Sequence, residues 1–470
     1  MDSGRPASGS GVSHRPVLVL LIVLLSSLTF PLTITGASVA LPGIQTDLGS
    51  GLGSVQWVVN GYNACFASFL VLAGSLADVH GRRRVFSWGV TLFFAGSVIS
   101  ALAGDILVLN IARAVAGIGA AAAVTCGAPI LTATFHGPAR ARAFGLLGTM
   151  LGGGLAFGPT LGGLLVDTWG WRSVFALPAV VAGVVLVLTP VLPRAAGARG
   201  RRVDWLGAVL FTPSLLLLIF MVVRAGDLGV TSPAVLGGVA VVIVMGVAFV
   251  SVERRCADPM FDLGLLANAR FGSVAVAAGT LMAILVPLLV YLPSYLISVI
   301  GLDAGQAGIW MLMLTAPTVL FPPVGAAIAR RRPAVLVAGS VAVSGAGTLL
   351  LSTIGEDSSA WQVLVPLVLT GVGVGLSTGV LDGLAVSSVR SEQVGSAAGL
   401  FNTARLATET VVLAAVGAIL AGLSGGRLAG AAFTDALQVV CLALGGFAAA
   451  ATVAVVILAR RADRVGAATA

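Results

Sequence analysis

Fourteen stretches of this chain are each long and apolar enough to cross a membrane, and no other feature restricts its fold so severely. They read as 16–40, 55–76, 84–103, 106–134, 141–166, 173–193, 205–224, 233–252, 271–299, 306–329, 334–354, 361–388, 396–423 and 437–459. A spanning helix needs about 20 apolar residues to cover a hydrocarbon core of about 30 Å. Within that core each backbone polar group must be satisfied inside its own segment, so such runs imply α-helices. Of the 470 residues, 58% are hydrophobic and 9% charged, against about 45–50% and about 25% in a soluble domain. The expected fold class is all-α, a polytopic membrane protein.

All 26 basic residues are Arg. A P-loop ATPase needs a Lys on the phosphates, so the chain is not its own ATP motor. The net charge of +8 would suggest nucleic acid in a soluble protein, but here its distribution explains it and no nucleic-acid partner is expected. With the N-terminus inside, the basic residues at 5, 15, 82–84, 140–142, 194–202, 254–255, 270, 330–332, 390 and 460–464 share the cytoplasmic side. The other side holds Arg172, Arg224 and Arg427, while Arg113 and Arg405 lie within spans. The positive-inside rule then puts both termini in the cytoplasm and requires an even number of crossings. Arg15 ahead of a run ending near Ser38-Val39-Ala40 looks like a secretory leader, but about 25 residues is too long for one, so it reads as the first span.

His14, His80 and His136 are too scattered for a metal site, and Cys65, Cys126, Cys256 and Cys441 show no paired spacing. The cysteines read as small packing residues. No metal or cofactor is expected.

The basic segment 194–202 and a second at 253–262 bracket two spans, with six spans before and six after. The expected division is an N-terminal six-helix bundle over 1–193, a cytoplasmic linker with two extra peripheral helices over 194–262, and a C-terminal six-helix bundle over 263–470. Between spans two and three lies Gly74-Ser-Leu-Ala-Asp78-Val-His-Gly81-Arg82-Arg83-Arg84, and the matching place in the second half holds Gly325-Ala-Ala-Ile-Ala-Arg330-Arg331-Arg332. Such repetition suits a transporter of two related bundles whose substrate path runs between them.

On these residues the chain resembles the major facilitator superfamily and, within it, the fourteen-span drug:proton antiporters, over nearly its whole length. The loop fits the family pattern G-x-L-A-D-x-x-G-R-R, departing at Val79, where a basic residue is usual. Asp78 can pair with the arginines or approach a helix terminus. Contacts of that kind can form in one bundle orientation and break in the other. The resemblance thus implies a gate built from Gly74, Asp78, Gly81, Arg82 and Arg83; a plain tight turn is the other reading.

Span five carries Gly154-Leu-Ala-Phe-Gly158-Pro159-Thr-Leu-Gly162-Gly163. Small residues four apart allow close helix approach, and Pro bends the span. Agreement with G-x-x-x-G-P-x-x-G-G, which in this family accompanies antiport, implies export. Arg113, in a segment resembling R-x-x-x-G-x-G, is a candidate for the cavity and for proton coupling, with a snorkelling Arg as the other reading; burying Arg costs about 2.5–3.5 kcal/mol, so it should face a partner or water.

Glu409 falls near the middle of span thirteen, where a carboxylate is by default functional. It is a candidate proton carrier, or else a structural partner of Arg405 one turn away. Arg405 matches the family's N-T-x-R; Glu409 stands where small residues are usual. Asp382, near the inner end of span twelve, is a further coupling candidate that could instead snorkel. In span one the family commonly has L-D-x-T-x-x-N-x-A-L-P, whereas this chain reads Leu32-Thr33-Ile-Thr35-Gly-Ala-Ser38-Val-Ala-Leu41-Pro42. Loss of that acid argues against a preference for lipophilic cations and leaves proton coupling to other residues. Thr33, Thr35 and Ser38, with the stripe Gln56, Asn60 and Asn63 on span two, are candidate cavity residues; interhelical packing is the alternative. Tyr291, Tyr295, Met311 and Met313 read as interface anchors and packing.

The resemblance implies a monomeric bacterial inner-membrane exporter, embedded in lipid, that exchanges protons for an amphipathic small molecule such as an antibiotic, with the proton gradient in place of a cofactor. Sugar or organic-acid uptake is the rival within transport. A membrane enzyme would need a catalytic cluster, and a channel a filter repeat; neither is found.

Overall fold

The computed structural model describes residues 16–193, 205–229, 231–255, 263–389 and 394–469. The basic residues at 5, 15, 194–202 and 390, together with His14 and Cys256, lie outside them. The first six spans are α1 (Pro16–Asp47), α2 (Leu52–His80), α3 (Arg82–Leu102), α4 (Ile106–Thr134), α5 (Gly137–Trp169) and α6 (Ser173–Leu188). Then come α7 (Trp205–Leu228) and α8 (Pro233–Glu253). The second set comprises α9 (Ala269–Ser298), α10 (Ala304–Leu320), α11 (Pro322–Arg331), α12 (Pro333–Leu351), α13 (Leu364–Ser377), α14 (Val380–Ser387), α15 (Val394–Leu423) and α16 (Gly430–Thr469). Among the described residues thirteen helical segments are long and apolar enough to cross a membrane, with α13 and α14 counted together in Ala360–Ser387, and a fourteenth crossing forms if α10 and α11, bent by 41° at their junction, count as one. The protein is multi-pass and all-α.

Local chemistry sets several boundaries. Asp105 starts α4 by accepting hydrogen bonds from the Leu107 and Val108 amides, and Asn268 does the same for Arg270 and Phe271 at the start of α9. Capping of this kind satisfies amides that have no partner within the helix. Two expected single spans are broken. The run 306–329 bends at Pro322-Pro323, where proline cannot donate to the helix ladder. The run 361–388 breaks at Gly379, whose φ of 72° is left-handed, a conformation that glycine adopts without a Cβ clash.

Helices α1–α6 pack with one another, as do α9–α16, and the two patterns match. The pairings α1 with α5, α2 with α4, α3 with α4, and α3 with α6 recur as α9 with α15, α10 with α13, α12 with α13, and α12 with α16. Across the molecule, α5 meets α10 just as α15 meets α2, and α1 meets α9. This is the pseudo-two-fold relation. Of the two extra helices, one differs from expectation. Helix α8 is peripheral, but α7 packs against both α2 and α15 and bridges the halves along one flank. The contact is specific: Thr212 on α7 donates to the Ser68 carbonyl of α2 at 2.9 Å.

Candidate functional site

On the seam between α1 and α5 the span-five motif closes the helices together. A Cβ at Gly154 would strike the Leu28 carbonyl, one at Gly158 the Thr35 hydroxyl, and one at Gly162 the backbone of Gly36. Pro159 and Gly163 turn the other way, against Gly308 and Ala304 of α10. The motif therefore serves two contacts, one inside the first half and one between halves. Thr35 lies in the first, donating toward the Pro31 and Gly154 carbonyls at 3.3 and 3.5 Å, and Ser38 donates back to the Thr35 carbonyl at 2.6 Å. Thr33 is fully buried with a hydroxyl lacking any partner.

Arg113 is also enclosed in the first half. Its Nε donates to the Val58 carbonyl at 2.9 Å and an amino nitrogen reaches the Thr33 carbonyl at 3.5 Å. The guanidinium lies 4.3 Å from the Tyr62 ring centre and 5.3 Å from that of Phe175. Aromatic faces and carbonyls, rather than a carboxylate, receive the charge. The result ties α1, α2, α4 and α6 together.

At the arginine-rich end, Asp78 and Arg82 form an ion pair of 3.8 Å across the α2–α3 turn. Gly81 makes the turn with φ of 92°, and Gly74 sits one turn before Asp78 against Thr125.

Between the halves, Gln56 donates from Nε2 to the Gly417 carbonyl of α15 at 2.7 Å. The Tyr291 hydroxyl of α9 lies against Gly417 and faces Asn60. Tyr291 and Tyr295, read from the sequence as interface anchors and packing, are both fully buried, as packing requires and anchoring at a membrane interface does not. Tyr295 donates to the Gly355 carbonyl within its own half, and Tyr291 joins the seam. Helix geometry puts Gln56, Asn60 and Asn63 on one α2 face, but nothing in the sequence flagged Tyr291 or Gly417 as their partners.

Farther along α15, toward its arginine-rich end, stand Glu409 and Arg405. Arg405 engages Asp382 of α14 at 3.6 Å and the Asn402 side-chain oxygen at 2.8 Å. Glu409 is 7% exposed; among the described residues no cation or donor is bonded to its carboxylate. Likewise, among these residues no group of three His, Cys, Asp or Glu side chains forms a metal site.

Four described hydrogen bonds join the halves. Besides Gln56 to Gly417, they are Gln45 to the Gly426 carbonyl at 3.3 Å, Thr160 to the Gly308 carbonyl at 2.7 Å, and the Gly305 amide to Asp167 at 2.6 Å. All lie toward the end opposite the arginines. Toward the arginine-rich end, Gly145, Gly148 and Gly152 of α5 and Gly399 of α15 have open space where a Cβ would stand. The seam is therefore packed at one end and loose at the other. Asp167, Thr160 and Gly308 were not singled out in the sequence, although Thr160 and Asp167 lie on the motif helix.

Comparison with known proteins matches residues 23–408 to the family model described as the Major Facilitator Superfamily. The chain is 33% identical to "Multidrug resistance protein Stp" of Mycobacterium tuberculosis, over 82% of this chain and 72% of that one. It is 30% identical to "Puromycin resistance protein pur8" of Streptomyces alboniger, over 90% and 85%. Among solved structures it resembles the POT family transporter PepTSo, with a TM-score of 0.70, 15% identity, and coverage of 95% of this chain and 98% of that one.

Proposed function

This chain belongs to the major facilitator superfamily, and from that premise we propose that it exports an amphipathic small molecule, an antibiotic or other drug, across the bacterial inner membrane in exchange for protons. Relatives named for drug resistance support the direction and the substrate class. The skewed arginine distribution supports cytoplasmic termini. Under that orientation the loose end of the seam opens to the cytoplasm and the packed end seals the outer side. The protein works as a monomer in lipid, its two bundles, 1–193 and 263–470, rocking about the central seam.

The observation that carries proton coupling is Glu409, an embedded acid on α15 whose neighbour Arg405 is engaged by Asp382 and Asn402. A charged carboxylate at this depth is costly. Glu409 takes a proton when the outer side is open and the drug leaves. It releases the proton to the cytoplasm when the inner side is open and the next drug enters. Asp78 and Arg82 hold the inner turn in one orientation and re-pair in the other.

The test is reconstitution into inside-out liposomes with an acidic lumen and a panel of drugs. The intact protein should accumulate drug in the lumen. Glu409→Gln should lose gradient-driven accumulation yet keep drug exchange without a gradient. Full gradient-driven transport by Glu409→Gln removes Glu409 from the cycle. In whole cells, loss of the protein should raise intracellular drug; a fall would indicate uptake.

A further inference from the structure

The seam between the halves holds more hydrogen-bonding capacity than it uses. Gln56, Asn60, Asn63 and Tyr291 are each no more than 2% exposed. Yet among the described residues the Gln56 side-chain oxygen and the Asn63 amide nitrogen have no partner, and the Asn60 amide has none beyond the Tyr291 hydroxyl that it faces. Buried polar groups are almost always paired, and leaving one unpaired is costly. A packing role would favour apolar residues here, since the surrounding helices are close enough to fill the space. These carboxamides therefore find their partners in a different arrangement of the halves, when Gly417 moves away from Gln56 and the strip is uncovered.

What the strip can bind follows from its chemistry. A carboxamide offers a donor and an acceptor and no charge. From Gln56 to Asn63 is seven residues, which at the helical rise of 1.5 Å per residue spans about 10 Å. On α2 itself Asp78 pairs with Arg82 at the far end, and the charged groups of the neighbouring α1, α4 and α15 also lie away from the strip. On α1, Asp47 is bonded to Trp171 and Arg172 at the outer rim. On α4, Arg113 is enclosed by Tyr62 and Phe175. On α15, Glu409 lies two turns from Gly417 toward the other end. A cation would find no counter-charge on the strip, whereas carbonyl, hydroxyl or amide groups along one molecular edge would find alternating partners.

We propose that Gln56, Asn60, Asn63 and Tyr291 determine substrate specificity at the step in which the outer end opens around the cargo, forming a neutral strip that selects uncharged molecules bearing several carbonyl and hydroxyl groups over lipophilic cations. This rests on the transport reading above and names the substrate class of that same path.

The test is equilibrium binding to the purified full chain in nanodiscs, with no gradient imposed, so that its result is independent of export direction and proton coupling. The probes are a neutral polyhydroxylated anthraquinone and ethidium, a planar cation of similar ring area. The intact protein should bind the anthraquinone about tenfold or more tighter, as sites built for hydrogen bonding discriminate by such factors or more. Asn60→Leu and Asn63→Leu should each weaken anthraquinone binding while leaving ethidium binding unchanged. Asn60→Asp should shift the preference toward ethidium, and a normal melting temperature shows that each variant is folded. Preference of the intact protein for ethidium, absence of anthraquinone binding, or equal losses for both dyes would overturn the proposal.

Discussion

Arg405 has an acid on either side of it and is held by only one. The Asp382 contact is 3.6 Å long, with both side chains partly exposed, so it contributes about 0–1 kcal/mol to stability. In the proposed cycle its part is to keep the guanidinium away from Glu409. Asp382→Asn should therefore leave the melting temperature nearly unchanged while lowering proton-driven transport about tenfold, equivalent to about 1.4 kcal/mol, because the freed Arg405 can turn to Glu409. Adding Arg405→Gln should restore part of the loss, and a double variant no better than the single would show that Asp382 acts by another route. The sequence exposed Glu409 and Arg405 as a pair four residues apart on one helix. It could not show that a break at Gly379 brings Asp382 to the same arginine, because that contact depends on where two separate helices end. Arg113 was legible as an embedded charge, but the rings and carbonyls that enclose it come from three other helices.

Along α5 one helix face changes character from end to end. Gly162 has the Gly36 backbone where a Cβ would be, whereas Gly148 has open space. Gly162→Leu should destabilise the protein by about 1–3 kcal/mol or more through overpacking, and Gly148→Leu should stay within about 0.5 kcal/mol; thermal unfolding in detergent measures both. Equal damage at the two positions would mean that the loose end is packed as well. The span count could be read from hydropathy, since length and apolarity alone decide whether a segment can cross. The bends at Pro322 and Gly379 were less legible, because proline and glycine are common in membrane helices and break only some of them. The place of α7 was not legible: apart from Thr212, Ser214 and the charged turn at Arg224 and Asp227, its sequence is apolar all round, as a helix between protein and lipid or one wholly in lipid would be.

At the scale of the whole molecule, the arginine asymmetry and the one-sided closure of the seam make a joint prediction. In a background lacking Cys65, Cys126, Cys256 and Cys441, a single cysteine at Gly148 should react with a membrane-impermeant maleimide in inside-out vesicles but not in intact cells. A cysteine at Thr160 should resist the reagent from both sides until the outer end opens. Reaction at 148 from outside would reverse the orientation. The pairing of two related halves was legible in the repeated loop, but which end is shut was not, since the same sequence must adopt both arrangements. The shut end has one further property. In all four bonds that close it, the side chain comes from the first half, and the atom it meets in the second half is a main-chain atom of a glycine: Gly305, Gly308, Gly417 or Gly426. The shut end is thus hung from a frame without side chains. Drift in the second half that spares these four glycines can retune the cargo path while leaving the latch bonds in place, and on the first-half side the firmness of closure evolves through Gln45, Gln56, Thr160 and Asp167.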